Sequence, residues 1–254
     1  MPKEYAVDTS NHYDNAPIVE AILDASIQRA SPIQMEELAE VVTGKEKYPQ
    51  RVELMTASGH MTVGPTVSAS ATTQKLGYQF INADKKLVVH CKVDGLAVSR
   101  LAPYTSWNDV YAEYARQWDR YVEIIKPDQV MKLAVRYVNR FDLPGNRVEL
   151  SDYFRTYPEV SKDIKYDLSG FLNQLHIPMP DIQGQAIITQ ARVPPPDDSV
   201  ISVLLDIAVS MAVQSPTEKL DLESKMNMLR SRKNELFEAC MKTQARDLIR
   251  ETSK

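Results

Sequence analysis

Residues 130–143, VMKLAVRYVNRFDL, restart a pattern first met in residues 17–28, PIVEAILDASIQ. Both stretches are rich in the β-branched residues that favour strands. In the earlier one Val19, Ala21, Leu23, Ala25 and Ile27 share one parity, while Glu20, Asp24 and Ser26 share the other. That alternation is the pattern of a strand buried on one face. In the later one Lys132, Arg136 and Arg140 lie on the face opposite Tyr137 and Phe141.

Outward from these two strands the element order repeats. Residues 1–16 are a polar lead-in. After residue 28, Ser31 is a candidate N-cap with Pro32 in the first turn, Glu36 and Glu37 near the positive end, and Gly44 beyond the last turn. Residues 51–63 and 66–73 read as strands around Gly64-Pro65, and residues 77–82 and 86–93 as a hairpin, followed by a strand over 96–101. A helix over 107–125 follows, with Ser106 as N-cap and Val110, Tyr114, Trp118, Tyr121 and Ile125 at helical spacing, until Lys126-Pro127 ends it. Beyond residue 143 come a short helix over 151–160, strands over 170–177, 185–193 and 200–212, and a helix from Pro216 to about residue 250.

Residues 17–126 and 130–254 therefore share the order strand, short helix, antiparallel strands, long helix. The expected fold is α+β: tandem β-α-β(3-4)-α repeats forming curved antiparallel sheet covered by long helices, as in TATA-binding-protein-like and helix-grip folds. Fold analogy of this kind carries nothing about function. With the two first strands side by side, Glu20 registers against Arg136 and Asp24 against Arg140, and Asn139 and Asp142 belong to the same seam. The reading for these six is that they set the register between the halves. In the last helix Leu222, Met226, Leu229, Leu236 and Cys240 form a stripe interrupted by Lys233, beside Phe237, Met241, Leu248 and Ile249. A helix of that length extends roughly 45 Å, more than one sheet covers. Leu229, Leu236, Phe237 and Met241, with Tyr104 and Trp107, are accordingly the partner-binding candidates.

Composition removes several functions. The chain of 254 residues is 43% hydrophobic and 25% charged, which suits a packed core. A net charge of −4 argues against a general polyanion binder. No apolar run reaches the roughly 18 residues that span a bilayer, and the N-terminal residues show no secretory h-region, so the expected compartment is the cytoplasm. His12, His60, His90 and His176 are isolated, and Cys91 and Cys240 have no CxxC spacing, so neither a metal centre nor a disulfide framework is expected. With eight glycines there is no glycine-rich phosphate loop and no GxSxG elbow. Asp206, in VISVLLDIAVSMA (200–212), reads as a solvent-face carboxylate. No catalytic residue, metal ligand or cofactor is assigned.

The stretches NAPIVEAILDASIQ (15–28), 77–127, LAVRYVNRFDLP (133–144) and LRSRKNELFEACMKTQARDLI (229–249) resemble a sporadically distributed prokaryotic family of about this length with no assigned function. The resemblance runs through Pro17, Glu20, Tyr104, Trp107, Arg136, Asn139 and Asp142. It implies a role beside a partner in anti-phage defence or toxin control, and no catalytic residues. The leading expectation is a non-enzymatic component that binds a protein partner or a second copy of itself. Second comes a small-ligand or nucleic-acid binding domain using the concavity between sheet and helices, with Lys132, Arg136, Arg140 and Arg192 as its basic strip; an enzyme ranks third.

Overall fold

The computed structural model describes residues 13–250, apart from Asp14, Thr43, Lys45, residues 63–67, Lys162 and Asp167, and for 57–62 and 68–72 it describes the backbone alone. Most of the polar lead-in, His12, the turn at Gly64-Pro65 and residues 251–254 thus lie outside the described residues, as does the side chain of His60. The protein is a mixed α+β structure built on one nine-stranded antiparallel sheet. Its strands are β1 (Ile18–Gln28), β2 (Gln50–Thr62), β3 (Ser68–Ile81), β4 (Leu87–Lys92), β5 (Gly95–Leu101), β6 (Gln129–Pro144), β7 (Leu172–Met179), β8 (Gly184–Val193) and β9 (Val200–Pro216). Their order across the sheet is β2-β3-β4-β5-β1-β6-β9-β8-β7. The two strands that anchor the sequence reading are neighbours, and the later strands of each half run outward from them.

β1 and β6 pair antiparallel, with Ile22 opposite Arg136, Glu20 opposite Val138 and Asp24 opposite Ala134. This corrects the expected charge ladder. Pairing Glu20 with Arg136 and Asp24 with Arg140 steps four residues in the same direction along both strands, which only parallel strands do. In the antiparallel arrangement Arg136 turns instead to Asp206 on β9, and Arg140 to Asp142 on its own strand.

One face of the sheet is covered. Ala21, Leu23 and Ala25 of β1, Leu133, Val135, Tyr137 and Phe141 of β6, and Val203, Leu205, Ile207 and Val209 of β9 form one core with the helices. α2 (Trp107–Ile125) packs on β5 and β1, and α4 (Leu222–Cys240) on β6 and β9. α2 begins as expected: the Ser106 hydroxyl accepts from the Asp109 N–H at 3.1 Å. It ends at Lys126, in the left-handed region at φ 50, before Pro127. Trp107, Val110, Tyr114, Trp118, Tyr121 and Ile125 make its buried face.

Other elements depart from expectation for local reasons. The first short helix, α1 (Met35–Ala39), is capped by Gln34 rather than Ser31, because Glu37 reaches back to the Gln34 N–H at 2.8 Å in a capping box. The two segments around residues 66–82 are one strand, β3. Gly77 lies inside it, where a Cβ would stand 2.0 Å from the Cys91 carbonyl oxygen, so the glycine marks a close strand approach and not a strand start. The helix expected over 151–160 is only α3 (Leu150–Tyr153).

The long C-terminal helix is two. β9 continues to Pro216, α4 stops at Cys240, and α5 (Thr243–Ile249) follows. Met241 between them is extended and bridges Phe154 just after α3: the Arg155 N–H donates to the Cys240 carbonyl and the Lys242 N–H to the Tyr153 carbonyl, each at 2.8 Å. Backbone pairing to a distant segment ends the helix at this point. At 19 residues α4 spans about 28 Å and stays on its own half of the sheet, so the expected overhang is absent.

A buried charge network ties the segment after α1 to α2. The Glu113 carboxylate accepts from Lys47 Nζ at 2.6 Å, Gln117 Nε2 at 2.7 Å, the Tyr48 hydroxyl and Arg116. Burial alone would raise its pKa, but these donors outweigh it and hold the carboxyl at about 2. A carboxylate depressed below its unfolded value stabilises the fold fully above pH 4.5, and the contribution is lost as pH falls toward 2. Glu113→Gln should lower stability in urea unfolding at pH 7 by about 3 kcal/mol and flatten the acid limb of the stability profile below pH 4.5.

Candidate functional site

The uncovered face of the sheet carries the expected seam residues. On its central strands lie four acids, Glu20, Asp24, Asp142 and Asp206, against four bases, Lys92, Lys132, Arg136 and Arg140. Most are engaged with one another. Arg136 grips Asp206 through Nε at 2.9 Å and a terminal nitrogen at 2.6 Å, and this contact raises the guanidinium pKa further. Arg140 donates to Asp142 at 2.9 Å and to the Ser202 hydroxyl at 3.0 Å, while Lys92 stands 3.3 Å from Asp24. Burial lowers the pKa of His90, with Lys92 adding to the effect and Glu20 and Asp24 opposing it. An even charge balance is a poor surface for a polyanion, and these strands present no aromatic side chain here for a base to stack on. Arg192 does not join the strip: it pairs with Val203 on the covered face and donates to the Leu168 carbonyl at 3.1 Å.

On the covered face, the start of α2, strand β6 and α4 meet. The Tyr104 and Tyr137 hydroxyls are 3.0 Å apart, and Trp107 Nε1 donates to Asn227 at 2.9 Å. Asn139 is buried and donates to the Leu205 carbonyl at 2.9 Å, bonding β6 to β9 through its side chain. Tyr104 and Trp107 thus clamp the two halves together from inside. Leu229, Phe237 and Met241 are buried and Leu236 is packed against the core, so the helix stripe is occupied by the protein's own sheet. These six residues do not form an exposed partner surface. Aromatic and leucine side chains serve internal clamps and exposed anchors alike, which is why residue type alone did not separate the two.

Lys233 stands in the middle of that interface. Its Nζ lies 3.8 Å from the Tyr137 ring centre and 6.0 Å from that of Phe237, with no carboxylate within salt-bridge distance among the described residues. Burial pushes the amine down to about 7; Arg230 adds to the effect and Glu238 opposes it. The two cysteines are buried free thiols, Cys240 pushed up to about 11 by burial. Among the described residues no cluster of three His, Cys, Asp or Glu side chains is placed to hold a metal, and no helix is long and apolar enough to cross a membrane.

The feature that sequence reasoning missed is on the segment joining α3 to β7. A groove of about 470 Å³ opens there, lined by Tyr157, Val160, Tyr166, Leu168 and Phe171 on one side and by Arg147 and Ile201 among its other walls. Ten large hydrophobic residues are exposed among the described residues, and six of them, Val160, Ile164, Tyr166, Leu168, Leu172 and Leu175, fall within 160–175. Tyr166 is 87% exposed and Leu172 75%. The available signal was an apolar set at 160, 164, 166 and 168 that fits neither helical nor strand spacing.

No family model, curated protein or solved structure matches this chain.

The linkage at Lys233 has a definite sign. Its folded pKa is about 7 and its ordinary value 10.5, so the unfolded chain binds more protons between them and stability rises with pH across that window. Lys233→Met should therefore stabilise the protein by about 3 kcal/mol at pH 6, with the gain shrinking toward zero by about pH 10. Denaturant midpoints of both proteins at a series of pH values check this.

Proposed function

We propose that this chain is a non-enzymatic binding component that recognises a protein partner through the groove beside residues 157–171. The observation that carries the reading is the gathering of six of the ten exposed large hydrophobic residues into 160–175, three of them lining that groove. Scattered apolar residues on a surface need no explanation, whereas a contiguous set around a concavity marks an interaction site. The partner's chemistry follows from the lining: a segment bearing aliphatic or aromatic side chains to fill the groove, with polar groups toward Arg147 and Glu149 at its rim. Elsewhere the charged side chains of the uncovered face are largely satisfied by one another, and no nucleophile, base and orienter stand together.

A small apolar ligand is the second reading. The groove volume of about 470 Å³ favours it, being in the range of small-molecule sites.

The two halves are read as copies of one β-α-β-α unit, in the manner of TATA-binding-protein-like and helix-grip folds. Adjacent β1 and β6, each followed outward by antiparallel strands and closed by a 19-residue helix, support this. The resemblance to a sporadically distributed prokaryotic family supports a partner in a defence or toxin-control setting.

Affinity purification of the tagged chain from its native cell, with mass spectrometry of retained proteins and small molecules, tests the reading. A specific protein should be retained by the wild type and by Val52→Asp on the opposite edge of the sheet, and lost with Tyr166→Asp. Retention that is indifferent to Tyr166→Asp sinks the groove as the docking site, and retention of a small molecule alone favours the second reading.

A further inference from the structure

The sheet ends on β7, and the orientation of that strand's backbone can be worked out. Phe171 and Arg192 are direct partners in the β7–β8 register, and the Arg192 N–H donates to the Phe171 carbonyl at 3.2 Å. In an antiparallel ladder the hydrogen-bonded pairs alternate with unbonded ones. Residues 173, 175 and 177 therefore turn their backbone groups inward to β8, and Leu172, Gln174, His176 and Pro178 turn theirs away from the sheet. Pro178 fits this assignment, since its missing N–H lies on the outer side where β8 needs no donor.

Edge strands of soluble proteins are commonly protected by charged side chains. The other edge, β2, carries Arg51 and Glu53. β7, with the sequence LNQLHIPM, carries no Lys, Arg, Asp or Glu, and both of its faces bear exposed leucine: Leu172 on the uncovered face and Leu175 on the covered one.

We infer that β7 pairs with β7 of a second copy of this chain, antiparallel about a twofold axis, joining two nine-stranded sheets into one. The occupant is argued from self-complementarity. A strand without charge meets its own copy with no like-charge repulsion, and an antiparallel twofold matches its outward donors to its own outward acceptors. The register follows from the same residues. Centred on Gln174, it sets Gln174 against Gln174 of the second copy and Leu172 against His176, so each of the three outward N–H groups within β7 finds a carbonyl. Pro178, with no donor to satisfy, then falls opposite Gly170. On the covered face this register places Phe171 opposite Ile177 and Leu175 opposite Asn173, which buries apolar side chains along the joint. The inference uses the strand edge beside the groove and holds whatever occupies the groove.

Sedimentation velocity and light scattering across micromolar concentrations test it, with amide hydrogen exchange read at residues 172, 174 and 176. The wild type should run at twice the chain mass, with those three amides protected in step with dimer formation. Gln174→Pro removes an N–H that β8 does not use, so the monomer fold should survive by circular dichroism while dimer affinity falls about 30-fold or more through the bonds lost at the axis. Leu172→Lys provides a second disruption that leaves the backbone intact, and it should weaken the dimer most at low salt. A wild type that stays monomeric, or a dimer that survives both substitutions, overturns the inference. A monomeric wild type whose captured partner is still lost with Tyr166→Asp overturns the dimer alone and leaves the groove reading in place.

Discussion

The antiparallel pairing of β1 with β6 governs the rest of the molecule. Because these two strands lie side by side at the centre, strands β5 to β2 extend on one flank and β9 to β7 on the other. Because they run in opposite directions, the acids of β1 cannot meet the arginines of β6 in step. Arg136 is then free to bind Asp206 of β9, Lys92 of β4 takes Asp24, and each flank stitches itself to the centre with its own ion pair. Exposed pairs of this kind contribute little stability. Their effect is on register, since a slip of one residue would put these charges into the core.

The same pairing brings α2 and α4 onto one face as neighbours. Their contact is made by Tyr104 with Tyr137 and by Trp107 with Asn227, so aromatic side chains with a polar tip bridge the halves where an all-apolar contact would leave polar atoms stranded. Lys233 is the exception within this interface. A lysine among rings is tolerated because its long stem packs as a hydrophobe and its head lies over the Tyr137 face, while burial makes its charged form costly.

With helices covering one face and mutually paired charges occupying the other, surface features that call for a partner are displaced to the periphery. They collect beyond α3, where the chain forms no long element and Tyr166 and Leu172 stand in solvent beside an uncharged edge strand. Nothing local enforces this. It follows from where the sheet runs out: β7 has a neighbour on one side only, and the segment leading to it has no core of its own to enter.

Much of the fold was legible from local pattern. Alternating parity in 17–28 and 130–143 identified β1 and β6, and Ser106 with Lys126-Pro127 bounded α2, because strand alternation and helix caps are properties of a few adjacent residues. What lay beyond reach depended on distant chain. The break at Met241 comes from a bridge to Phe154, the continuity of β3 through Gly77 from the approach of Cys91, and the partner of Arg136 from the direction of a strand seventy residues away. Tyr104, Trp107, Leu229 and Phe237 looked like anchors for another molecule and are anchors for this one. The sequence by itself determined which residues form strands and helices and which faces they bury. Only the tertiary structure decided which faces remain uncovered, because exposure depends on what the rest of the chain has already occupied.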